Sequence, residues 1–90
     1  MSRFEDKLIE FKPRYEDAIY GVRNGSYKAY VWDLGRTPEP WEGDRYKVSL
    51  VIGNELTGYH RESNDPLEAM EYARQAVSGR AFRLLLRRMR

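Results

Sequence analysis

The sequence predicts an α+β domain in the order helix, three-stranded antiparallel meander, helix (α-β-β-β-α), with both helices packed on one face of the sheet. Three observations predict it. Apolar residues recur at three- and four-residue steps over the first quarter; tyrosine- and valine-rich stretches alternate and meet a Gly-Asn pair; and Asp65-Pro66-Leu67-Glu68 has the form of a helix start. Ninety residues suit a single domain with one core.

The first helix is argued from Phe4, Leu8, Phe11, Tyr15, Ala18, Ile19 and Val22, which fall along one helical face. Ser2-Arg3-Phe4-Glu5 has the spacing of a capping box ahead of them. Pro13 predicts a kink, since it removes an amide donor and disfavours the helical region for Lys12. Asn24-Gly25, tolerant of positive φ, suits a helix stop.

Strands are expected over residues 26–33, 45–52 and 56–62, where β-branched and aromatic residues alternate with polar ones. Tyr46, Val48, Leu50 and Ile52 form the expected core face, and Gly53-Asn54 the tight hairpin turn. The second helix starts with Asp65 as N-cap, Pro66 pre-organised at the first turn and Glu68 completing the box. Its expected apolar stripe is Leu67, Met70, Ala73 and Val77. Gly79 weakens it by about 1 kcal/mol relative to alanine, after which Ala81, Phe82, Leu85, Leu86 and Met89 continue an apolar face. The strand-hairpin-strand-helix order of residues 46–77 is similar to that of double-stranded-RNA-binding domains. That resemblance implies a lysine cluster at the start of the second helix; Asn64-Asp65-Pro66-Leu67-Glu68 stands there instead, so no binding residue carries over.

Composition excludes several function classes. With 41% apolar and 33% charged residues the chain is too apolar for a disordered polymer and too polar for a membrane protein. No cysteine occurs, which removes disulfides and thiolate metal sites and favours a cytoplasmic setting. No run approaches the roughly 18 apolar residues of a membrane span, and no apolar leader follows Met1. The net charge of +2 is small, but residues 66–90 hold six arginines against Glu68 and Glu71, an excess of four. Phosphate binding depends on such local fields.

Catalytic equipment is sparse. The sole histidine, His60, and Glu62 lie two apart on an expected strand, so they share a face, but two ligands do not make a metal site. Asp33, Glu39, Glu42 and Asp44 lie in or beside a long loop, where solvated carboxylates are ordinary. Gly35, Gly43, Gly53 and Gly58 build no phosphate-binding loop. The sequence therefore implies no enzyme, no metal and no cofactor.

Three surfaces remain as candidates for binding. Loop 34–44 carries Trp41 after Thr37-Pro38-Glu39-Pro40, a stiffened setting for an interface anchor; the plain alternative is that Trp41 covers the core or a sheet edge. Alternation assigns Lys28, Tyr30, Trp32, Lys47, Ser49, Val51, Thr57, Tyr59 and Arg61 to the second sheet face, where interleaved aromatics and cations suit either protein or nucleic acid, or simply an exposed sheet. Arg80, Arg83 and Arg87 would align on one side of a helix; helix electrostatics and solubility beside Leu84-Leu85-Leu86 explain them as well as a ligand does. The opposite, leucine-bearing side could pair two chains as a homodimer. The expectation is a non-enzymatic binding module, a protein partner favoured over nucleic acid, such as the accessory or inhibitory proteins of phages and mobile elements.

Overall fold

The computed structural model describes residues 8–36 and 43–78. Five strands, β1 (Ile9–Phe11), β2 (Ala18–Asn24), β3 (Tyr27–Asp33), β4 (Tyr46–Ile52) and β5 (Glu55–Ser63), form one antiparallel sheet in the order β1-β2-β3-β4-β5, followed by the helix α1 (Pro66–Ala76). This overturns the expected α-β-β-β-α order. The stretch expected as a first helix supplies β1 and β2 instead. The apparent helical stripe divides between the two faces of the sheet: Val22 enters the core, while the Phe11 and Tyr15 rings meet Tyr30 on the other side. Pro13 lies in the link between the two strands and donates to neither. Residues 46–76 keep the strand-hairpin-strand-helix order compared with double-stranded-RNA-binding domains, but the helix that opens the order of those domains is replaced by two strands.

The Asn24-Gly25 pair ends a strand and not a helix. Asn24 pairs with Tyr27, leaving Gly25 and Ser26 as a two-residue loop, with φ +63° at Gly25 and no positive φ at any described non-glycine residue. That is the requirement of a type II′ hairpin. Gly53-Asn54 repeats it, as expected, with Ile52 paired to Glu55 and φ +63° at Gly53. The two turns sit side by side, the Gly53 amide donating to the Ser26 carbonyl at 2.9 Å.

The core lies between the sheet and α1. Tyr20, Val22, Ala29, Val31, Tyr46, Val48 and Leu50 meet Ala69, Ala73, Ala76 and Val77 there. Alanine on the buried face lets the helix axis come close to the sheet. Leu67, expected in the apolar stripe, is 71% exposed, so the helix is rotated relative to the expectation. Fully burying each of Val22, Val31, Val48 and Leu50 contributes about 1.5–3 kcal/mol. The cap also differs in detail. Leu67 N donates to Asp65 Oδ1 at 3.0 Å, as an N-cap requires, but the Asp65 amide is taken by Ser63 Oγ, whose hydroxyl donates to Glu68 Oε1 at 2.9 Å. The reciprocal half of the box thus runs through a serine.

Polar groups tie the elements together. The Tyr20 hydroxyl donates to Glu10 Oε2 at 2.5 Å and accepts from Arg74 Nη1 at 3.3 Å, joining β1, β2 and α1. Buried Asp33 accepts from Arg45 Nε at 2.9 Å and Nη2 at 3.2 Å, and from the Gly35 amide at 3.0 Å. These bonds join the end of β3 to the start of β4.

Candidate functional site

Only one face of the sheet carries α1; among the described residues no helix covers the other. Register decides what that open face shows. Lys28 pairs with Val51, Tyr30 with Ser49 and Trp32 with Lys47, so these six share it, as expected. The next strand corrects the expectation. Ser49 pairs with His60 and Lys47 with Glu62, whereas Val48 pairs with Arg61, which puts Arg61 on the helix side. There its guanidinium lies 3.8 Å from the Tyr72 ring centroid. Tyr59 likewise packs against the core cluster. Thr57 donates to the Leu50 carbonyl at 2.8 Å within an irregular stretch of β5.

The difference is one of parity. A two-residue turn at Gly53-Asn54 sets Ile52 opposite Glu55, so every odd-numbered β5 residue falls on the face of Leu50 and Val48. The two extra residues that β5 holds between Leu56 and His60 leave that parity unchanged.

The open face is built around four rings. Tyr30 contacts Phe11 edge-on at 5.7 Å between centroids and Tyr15 at 5.8 Å; Trp32 lies tilted against Tyr15 at 5.4 Å and against Tyr30 at 5.8 Å. Mutual contacts of this kind fix ring orientation beyond simple area burial. The indole of Trp32 donates to Ser49 Oγ at 2.8 Å, which pins it to β4. Burial, with the Tyr15 phenol nearby, holds the Tyr30 hydroxyl pKa above its ordinary value. Tyr15 nevertheless remains 57% exposed.

Beside the rings is an open cleft of about 330 Å³. Tyr15, Tyr30, Trp32 and Ser49 line it toward one end; Lys28, Val51 and Leu56 line it toward the turn at Gly53-Asn54. Leu56 is 73% exposed. Charge is uneven along the face. Arg23 and Lys28 are direct cross-strand partners near the turns, an arrangement that repels, and among the described residues neither forms an ion pair. At the other end Lys47 stands opposite Glu62, whose carboxylate lies 3.3 Å from His60 Nε2.

Of the residues singled out from sequence, Tyr30, Trp32 and Lys47 come together on this face. Tyr59 and Arg61 do not. Trp41, Arg80, Arg83 and Arg87, and with them the pairing of chains through residues 84–89, lie outside the described residues. Sequence reasoning missed Phe11, Tyr15, Arg23 and Leu56 as members of the face: the first three had been placed on or beside a helix, and hairpin register would have found Leu56.

No group of three or more His, Asp or Glu side chains among the described residues could hold a metal. No described helix is long and apolar enough to cross a membrane. No protein-family model, no curated protein and no solved structure matches this chain.

Proposed function

We propose that this chain is a non-enzymatic binding module that recognises another protein through the open face of its sheet, as an accessory or inhibitory protein would. The observation that carries the reading is the interlocked Tyr15–Tyr30–Trp32 cluster beside an open cleft and the exposed Leu56. Protein interfaces are built this way, with rigid aromatic anchors at the centre and a mixed polar rim. The rim here is Arg23, Lys28, Lys47, His60 and Glu62, of both signs.

Nucleic acid is the competing reading, and it needs two things: ring faces free to stack on bases and cations that follow a phosphate backbone. The rings here pack against one another, and Arg61, one of the expected cations, lies on Tyr72 across the sheet. Both points favour protein.

The test is capture from a lysate of the source cells by the immobilised chain, compared with a Tyr15→Ser/Leu56→Ser variant. Both positions are more than half exposed, and circular dichroism checks that the variant keeps the fold. A partner held by the native chain and lost by the variant supports the reading. A partner held equally by both removes the open face from it. A parallel titration with short oligonucleotides at low salt, showing tight binding that falls steeply as salt rises, would assign the face to nucleic acid instead.

A further inference from the structure

Arg23 and Lys28 are the part of the open face that the fold itself does not explain. They stand directly opposite each other on β2 and β3, where like charges destabilise a sheet. Neither has an ion-pair partner among the described residues. Two acids of the same sheet are engaged elsewhere. Glu10 is bound by Tyr20 on the helix side, and Glu62 is held by His60 at the far end of the face. Lys28 also lines the cleft, next to Val51 and the exposed Leu56. A positive pair with no ion-pair partner among the described residues thus adjoins an apolar recess.

We infer that the open face takes an acidic segment of a partner protein, with an apolar or aromatic side chain in the cleft and neighbouring carboxylates on Arg23 and Lys28. The inference rests on the protein-binding reading above and adds the chemistry of the partner. Charge complementarity argues for it. A carboxylate between the two cations converts a repulsive pair into an attractive triad, and the adjoining recess accepts the side chain next to it. Register gives the scale. From Lys28 to Trp32, which pairs with Lys47, is four residues of strand, or about 13 Å. A short extended segment spans that distance.

The probe is a fluorescein-labelled peptide, acetyl-Gly-Asp-Glu-Phe-Glu-Asp-Gly, followed by anisotropy. Its controls are the Asn/Gln counterpart, a counterpart with glycine for phenylalanine, and a short oligothymidylate. The acidic phenylalanine peptide is expected to bind about tenfold more tightly than the Asn/Gln control, the order of two partly exposed charge contacts, and more tightly than the glycine control, which lacks the apolar side chain. An Arg23→Gln/Lys28→Gln chain, its fold checked by circular dichroism, should bind the acidic and amide peptides equally. Equal binding of those two peptides to the native chain, or no binding of any peptide, would overturn the inference. In either case the protein-binding reading is judged separately, by the lysate capture. Preference for oligothymidylate would overturn both. Concentration-dependent dimerisation abolished by Leu56→Glu would overturn it in favour of a second copy of this chain.

Discussion

The Phe11 ring packs against Gly21, its cross-strand partner, so closely that a Cβ built at residue 21 would stand 2.6 Å from Phe11 Cε2. β1 is only three residues long, and this contact carries one aromatic ring from it onto the open face. Glycine at residue 21 is therefore a requirement of packing.

Gly21→Ala should lower stability by about 1–3 kcal/mol, the usual effect of overfilling a packed site. Urea denaturation measures it. In a Phe11→Ala background the same substitution should instead stabilise by about 0.5 kcal/mol, because alanine is then free to show its ordinary advantage over glycine in a strand.

Ser49→Ala leaves the Trp32 indole without its acceptor. A loss of about 1 kcal/mol is expected in denaturation. The anisotropy assay should also show weaker peptide binding, since Trp32 borders the cleft.

Asp33 and Arg45 form a two-point pair, with the Asp33 side chain 4% exposed and Arg45 54% exposed. The hydrogen bond and charge of Asp33 raise the Arg45 pKa above its ordinary value. Arg45→Ala should lower the thermal midpoint by leaving a buried carboxylate with fewer partners. Arg45→Lys should recover only part of that, because lysine cannot reproduce the two-point geometry. Thermal midpoints of the three chains rank them.

Alkaline pH offers a separate check on Tyr20. Burial, followed by its hydrogen bond to Glu10, holds its pKa above the ordinary tyrosine value. The unfolded chain then releases this proton first. Stability should be level below about pH 10 and fall above it, until the folded-state phenol also ionises. Tyr30 is shifted in the same direction. Tyr20→Phe should flatten the decline in part, and Tyr20→Phe/Tyr30→Phe further. Denaturation between neutral pH and pH values above the tyrosine range would show it.

How much was legible in the sequence follows from which signals were local. The Asp65-Pro66 cap and the Gly53-Asn54 turn are decided by a few adjacent residues, and both occur as expected. The segments expected as strands over residues 26–33, 45–52 and 56–62 carry clear alternation and occur as β3, β4 and β5. Residues 8–24 do not carry it: Phe11, Tyr15, Ala18 and Val22 fit a helical step, while the Ala18-Ile19-Tyr20-Gly21-Val22 run fits a strand. Pairing with β3 decides between them, and a sequence window does not contain that pairing. The open face was read correctly on β3 and β4, where register follows directly from the core face. On β5 it was read one residue out, and the two-residue turn already fixed the answer.

The sheet order has a consequence for how the chain reaches this structure. Each strand pairs with its immediate predecessor in sequence, so the sheet can grow one neighbour at a time; two of its links are two-residue turns, and the link between β3 and β4 is the long one. The long-range closure is made by α1, and its far end is fastened where buried Asn24 donates through Nδ2 to the Val77 carbonyl at 3.0 Å, across 53 residues of sequence. Asn24 ends the β2 strand at the first tight turn, so the helix is bolted to one of the earliest reversals in the chain. The sheet can close as a zipper, and this bond ties its first tight turn to the end of the helix.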